Sequence, residues 1–149
     1  MVPLIARFRS ELLSFNSIRV DEDPLAARQE ADAFLVKDVP VYLLVIAGQV
    51  LGYLVCRIEE PCVWAEQIYV LPEHRRKGLA SLLFEQAEKM AADRGEPTVY
   101  CNVHPNNHAI IQFLQSRGYT HLNLIELRRG YPGEQAMSKI RIGEHEFDY

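Results

Sequence analysis

Hydrophobic residues in this chain fall into two kinds of stretch, some spaced for helices and some dense enough for strands. Ile5, Phe8, Leu12 and Phe15 share one side of a helix over Leu4–Phe15. A second helix opens at Asp23-Pro24, where an aspartate suits the N-cap and a proline the first helical position. It carries Ala27, Ala31, Phe34 and Leu35 on one stripe and ends near Asp38. Three β-rich segments follow: Val41–Ala47, Val50–Ile58 and Cys62–Val70. Gly48-Gln49 turns the first into the second, and Glu59-Glu60-Pro61 interrupts before the third, so the spacing predicts an antiparallel meander. Its strands lack clean alternation, which predicts cover on both faces.

The clearest amphipathic pattern runs from Leu79 to Asp93. Leu79, Leu82, Leu83, Ala87 and Met90 form its inner stripe, Glu85, Glu88, Lys89 and Asp93 face outward, and Gly95 stops it. A short buried strand is predicted over Thr98–Val103, parallel to its predecessor through a right-handed crossover. A helix over Asn106–Arg117 is capped by Asn106 or Asn107 and ended by Gly118. Tyr119–Arg128 reads as a further strand, Gly130–Gly133 as a loop and Lys139–Phe147 as a last strand. The expected fold class is α/β, a mixed sheet with helices on both faces, in one domain over 1–149.

Composition narrows the function. The chain is 48% hydrophobic and 24% charged, ordinary for a globular protein. A net charge of −4 argues against nucleic-acid binding. No apolar run is long enough for a membrane span, and the early charges in Met1–Arg7 do not suit a signal peptide. Cys56, Cys62 and Cys101 are odd in number and lack C-x-x-C spacing, which argues against a disulfide framework or zinc site. A reducing, cytoplasmic setting is expected.

Against this acidic background, Arg75, Arg76 and Lys77 form a local cationic cluster directly before Gly78 and the best helix. A helix start leaves N–H groups without partners and carries partial positive charge. Gly78 permits backbone conformations that a Cβ disfavours, and small Ala80 leaves the approach open. Such a strand–loop–helix junction suits a phosphate or diphosphate. The plainer alternative is a solvated basic turn.

Arg75–Ala80 reads R-x-x-G-x-A and resembles the pyrophosphate loop of the GNAT acetyltransferase superfamily, which uses acetyl-CoA. The element order matches that superfamily from Val41 to about Arg128, except that its usual first strand is missing or reduced to Val2-Pro3. The resemblance implies acetyl-CoA as co-substrate; no metal is expected, because Pro105 lies between His104 and His108 and no third ligand is obvious. The resemblance also implies that main-chain N–H groups of Arg76, Lys77, Gly78, Leu79 and Ala80, with the Arg75 side chain, bind the diphosphate. The strand before the loop would part from the next strand, and the backbone at Ile68 and Val70 would bind the pantetheine arm. Asn107, in the segment Asn107–Tyr119 that resembles N-x-x-A-I-x-x-Y-x-x-x-G-[FY], takes the family's asparagine position; a simple N-cap is the alternative.

Glu66 stands nine residues before Arg75, as in the E-x-x-x-V-x-x-x-x-R pattern of the spermidine/spermine branch, which implies the general base. Alternation predicts that it shares a face with Trp64, Ile68 and Val70, and partial burial would tune it towards that task. The alternative is a carboxylate that meets solvent or pairs with an arginine. Leu114 occupies the family's tyrosine position and cannot protonate a leaving thiolate. Tyr69, Tyr100, Tyr119, His104 and His108 remain candidate donors. The implied partner is a small-molecule or protein amine; Glu59, Glu60 and Glu126 could attract a cationic substrate, simple solvent exposure being the plainer alternative. Alternative functions are a non-catalytic acyl-CoA-binding module and a protein lysine or N-terminal acetyltransferase. The last strand could pair across a homodimer.

Overall fold

The computed structural model, which describes residues 1–133, 135–136 and 138–149, gathers the strand-like segments of the first hundred residues into one sheet of order β1-β2-β3-β4. Strands β1 (Val41–Ile46), β2 (Gln49–Glu59) and β3 (Cys62–Val70) form the antiparallel meander, and β4 (Val99–Tyr100) pairs parallel to β3. Helices α1 (Val2–Ser14), α2 (Pro24–Val36), α3 (Leu79–Ala92) and α4 (His108–Ser116) complete the element set of this part of the chain. These elements lie in one compact unit, Met1–Arg117; a second unit spans Gly118–Tyr149.

Local chemistry explains the boundaries. Asp23 caps α2 as expected, its Oδ1 accepting from the N–H groups of Leu25 and Ala26 at 3.0 and 2.9 Å. The β1–β2 turn falls one residue earlier than expected: Ile46 pairs with Gln49, and Ala47 and Gly48 both take positive φ, 49° and 77°. That is the handedness which keeps a tight hairpin in step with strand twist. Val2-Pro3 does not form a strand; these two residues open α1.

The register assigns the sheet's two faces. Tyr53, Val55 and Tyr69 pack with Leu4, Ile5, Ala6, Ala27 and Ala31, so α1 and α2 cover one face. Gly52, one residue out of phase, faces Leu83 of α3, whose buried residues are Leu83, Phe84, Ala87, Met90 and Ala91. Two expected core positions are corrected. Leu82 is 52% exposed and Phe84 takes its place, and Leu35 is 77% exposed. Each lies at the border of its helical stripe, where a small rotation decides burial.

A polar chain, buried at Tyr53 and Gln67 and exposed at Arg9, ties α1 and α2 to β3. Tyr53 Oη donates to Gln67 Oε1 at 3.0 Å, Gln67 Nε2 donates to Glu30 Oε1 at 2.6 Å, and Arg9 Nε donates to Glu30 Oε2 at 2.8 Å. Burial pushes the Glu30 carboxyl upward, but the bonds from Arg9 and Gln67 outweigh it and hold the group below its ordinary range.

Three strand expectations change. Thr98–Val103 shrinks to Val99–Tyr100. Tyr119–Arg128 forms no regular element; Leu122, Leu124 and Leu127 stay exposed, because alternation alone does not hold a strand that lacks a ladder neighbour. Lys139–Phe147 is a hairpin rather than one strand, with β5 (Lys139–Ile142) and β6 (His145–Asp148) joined through Gly143 at φ 61°. No helix among the described residues is long and apolar enough to cross a membrane.

The close approach at Gly52 is a test of this packing. A Cβ there would lie 2.7 Å from the Tyr69 carbonyl oxygen and 3.3 Å from Leu83 Cδ1. Gly52→Ala is expected to destabilise the fold by about 1–3 kcal/mol. Urea denaturation should read this as a lower midpoint with an unchanged slope.

Candidate active site

The site begins where β3 and β4 stop pairing. Their ladder consists of Val63–Val99 and Trp64–Tyr100, after which β3 continues alone on that edge to Val70. At this same point β3 carries a bulge: Val55 pairs with Gln67 and Cys56 with Ala65, which leaves Glu66 unpaired. The Leu71 N–H donates to the Leu51 carbonyl at 2.9 Å. By antiparallel alternation, Tyr69 then turns its backbone groups to β2, and Ile68 and Val70 turn theirs to the open edge.

That edge forms one wall of a cleft of about 640 Å³. Helix α1 supplies Phe8, Glu11, Leu12 and Phe15 to the opposite wall. Asn107, Ile110 and Phe113 enter from α4, and Arg75, Arg76, Gly78, Leu79 and Ala80 close one end. A recess of about 80 Å³ continues past Ile68 to Ala65, Glu66, Phe84, Cys101, His104 and Leu114.

The loop that closes the cleft has unusual backbone geometry. Pro72–His74 form a 3-10 turn, Arg75 is extended, and Arg76 and Gly78 have φ of 63° and 77°. A positive φ at arginine is uncommon and marks a constrained position. Among the described residues, no other backbone carbonyl accepts from the N–H groups of Arg76, Lys77, Gly78, Leu79 or Ala80. The result is a concave set of donors at the start of α3, where the macrodipole adds positive potential.

The fold brings Ile68, Val70, Arg75, Arg76, Gly78, Leu79, Ala80 and Asn107 to the cleft, all positions singled out in the sequence. Lys77 is exposed and does not line it; its Nζ donates to the Glu73 carbonyl at 3.2 Å. Asn107 caps α4, its Oδ1 accepting from the Ile110 N–H at 3.2 Å, and lines the cleft as well. Arg75 donates from Nε to the Val70 carbonyl at 2.8 Å and from Nη1 and Nη2 to the Glu11 carboxylate at 3.0 and 2.7 Å. The Val70 carbonyl is therefore occupied, while its N–H remains directed at the open edge.

Glu66 differs from expectation in its surroundings. Its side chain is 41% exposed rather than partly buried, and its Oε2 accepts from Arg57 Nε at 2.9 Å. Arg57 also bonds Glu59 and stacks over Trp64, 4.8 Å from the ring centroid. The bulge has broken the alternation: Trp64 pairs across from Arg57 and Ile68 from Leu54, so Trp64 and Ile68 lie on opposite faces.

Other groups of the recess are committed or inert. His104 Nδ1 accepts from the Asn106 N–H at 3.2 Å, its Nε2 lies 3.0 Å from Asn16 Oδ1, and its ring stacks on Phe15. Burial lowers its pKa, which favours the neutral ring. Burial pushes the Cys101 thiol up to about 12, so it is not a thiolate near neutrality. Leu114 is 7% exposed and closes the recess with Phe84. No group of three metal-ligating side chains occurs among the described residues.

Sequence reasoning missed the α1 wall. Phe8, Leu12 and Phe15 were readable only as a core stripe, and Glu11 lies 64 residues from the arginine it meets. The stripe's length beyond what the core needs was the available signal.

The family profile described as "Acetyltransferase (GNAT) family" matches residues 5–119. The chain belongs to this acetyltransferase family. Solved structures share its fold. Aminoglycoside N-acetyltransferase AAC(6')-Iy, in complex with CoA, aligns with a TM-score of 0.66 at 17% identity, over 87% of this chain and 88% of that one. Aminoglycoside antibiotic 6'-N-acetyltransferase AAC(6')-IG from Acinetobacter haemolyticus gives 0.63 at 22% identity, over 87% and 92%. A ribosomal-protein-alanine N-acetyltransferase from Brucella melitensis gives 0.64 at 15% identity, over 87% and 89%.

Gly78 tests the loop. Nothing lies within 4 Å of a Cβ placed there, so a substitution acts through the backbone alone. Gly78→Ala in the left-handed region costs about 1–2 kcal/mol. The loop is expected to relax while the core stays intact. Calorimetry should then read a CoA affinity roughly 5–30-fold weaker with little change in melting temperature.

Proposed function

We propose that this protein transfers the acetyl group of acetyl-CoA to a primary amine of a small molecule, by direct attack within a ternary complex. The observation that carries this reading is the continuity of the cleft. A loop of main-chain donors leads into an open strand edge at Val70 and Ile68, and that edge leads to a small recess beside Glu66. The distance along β3 from Val70 to Ala65 is about 17 Å at the usual rise per residue, enough for an extended pantetheine arm.

Each residue's part follows from its place. The amides of residues 76–80, with Arg76, hold the diphosphate. Ile68 and the Val70 N–H orient the arm, and Asn107 closes on it from α4. Acetyl-CoA supplies the activated acyl group. An amine arrives mainly as ammonium, and Glu66, held by Arg57, takes its proton, directly or through one water. The freed nitrogen lone pair then forms a bond to the thioester carbonyl carbon. The carbonyl carbon becomes tetrahedral, and the C–S bond breaks as the carbonyl re-forms. The acylated nitrogen sheds its remaining extra proton to solvent; Leu114 donates no proton, so CoA departs as a thiolate and is protonated by solvent, and an ordinary thiol titrates near ~8.5, which makes this route accessible.

Glu66→Gln is expected to lower kcat by roughly 100-fold or more while leaving CoA affinity unchanged. Thiol release measured against an amine panel, with calorimetry alongside, checks both. Unaltered turnover would remove Glu66 from this role.

The recess also sets an expectation for the acyl group. Phe84 and Leu114 close it at about 80 Å³. Acetyl-CoA should therefore exceed hexanoyl-CoA in kcat/KM by at least roughly tenfold, and Leu114→Ala should narrow that ratio. Equal rates across chain lengths would place the acyl group elsewhere.

The absence of a hydroxyl at Leu114 favours one second reading, a CoA-binding module without catalysis. CoA binding with no thiol release on small amines or on peptide N-termini would select it.

A further inference from the structure

Arg75 holds the position that the motif assigns to side-chain contact with phosphate, yet its charge is already engaged. Both Nη groups donate to the Glu11 carboxylate, at 3.0 and 2.7 Å, and Nε donates to the Val70 carbonyl at 2.8 Å. The guanidinium lies over the Tyr69 ring, its Cζ 5.2 Å from the ring centroid. A fork bonded on its end, its side and its face has little freedom to swing towards a ligand. Arg76 is different. It lines the same cleft, has a positive φ, and has no carboxylate partner among the described residues.

Glu11 is the unexpected member. It places a negative charge in a cleft whose end is built to receive an anion. Both Glu11 and Arg75 are only partly covered, at 38% and 34% side-chain exposure, so neither is hidden from a ligand there. Without its partner, Glu11 would repel a diphosphate in the same cleft.

Resting on the CoA reading above, we infer that Arg75 is a positioning residue that acts on the diphosphate through Glu11. It cancels the carboxylate presented by α1, while Arg76 and the loop amides make the contact with the anion.

The test is calorimetric titration of CoA into wild type, Arg75→Gln, Arg75→Lys and the Arg75→Gln/Glu11→Gln double variant, with melting temperatures recorded for each. Arg75→Gln should weaken CoA at least tenfold. The double variant should return to within threefold of wild type, because the uncompensated carboxylate is gone. Arg75→Lys should stay within fivefold, since an ammonium also neutralises Glu11. With acetyl-pantetheine, which lacks the diphosphate, Arg75→Gln should leave KM within twofold of wild type.

A double variant as weak as Arg75→Gln would make Arg75 a direct phosphate ligand and overturn the inference. An equal loss with acetyl-pantetheine would make its role merely structural, and would overturn it too. If wild type itself bound no CoA, the functional reading would fall and this inference with it. If Arg75→Gln does not fold, the lysine and double variants still decide the matter.

Discussion

The early end of the β3–β4 ladder is the constraint from which the site follows. Parallel strands normally satisfy one another's backbone groups along their length. Here pairing stops at Trp64–Tyr100, and Ile68 and Val70 are left with N–H and C=O groups directed at an open edge. Unmet backbone groups at a buried edge are unfavourable, so the fold must either cover them or leave them open to a cavity. It does both in part. Arg75 takes the Val70 carbonyl, and the remaining groups face a cleft of about 640 Å³.

Other features support that separation. The bulge at Glu66 turns β3 where the strands diverge and aims its carboxylate to Arg57 rather than into the core. The chain Arg9–Glu30–Gln67–Tyr53 fixes α1 and α2 against the other face of β3. Through α1 it also holds Phe8, Glu11, Leu12 and Phe15 across from the open edge. The cleft wall and the hydrophobic core are thus two sides of one helix. A substitution in that polar chain would be felt at the site without touching a ligand.

Much of this was legible in the sequence. Helix starts at Pro24 and Leu79, the meander, the R-x-x-G-x-A loop and the asparagine cap of α4 all have local causes, and local causes can be read from neighbouring residues. What was not legible depends on contacts across the chain. The one-residue bulge reverses the face of everything before it, so alternation placed Trp64 with Ile68 wrongly and gave Glu66 too much cover. The Arg75–Glu11 pair joins residues far apart in sequence and has no local signature. Tyr119–Arg128 carries a strand's pattern and forms no strand, because a strand is defined by a partner as well as by its own residues.

In the proposed function, main-chain amides at the start of α3 grip a diphosphate. Amide chemical shifts of the labelled protein during titration with CoA, compared with pantetheine alone, test it most directly. CoA should move the resonances of Arg76, Lys77, Gly78, Leu79 and Ala80 downfield, and pantetheine should leave them in place while perturbing Ile68 and Val70. CoA binding that leaves those five amides unmoved would contradict the account.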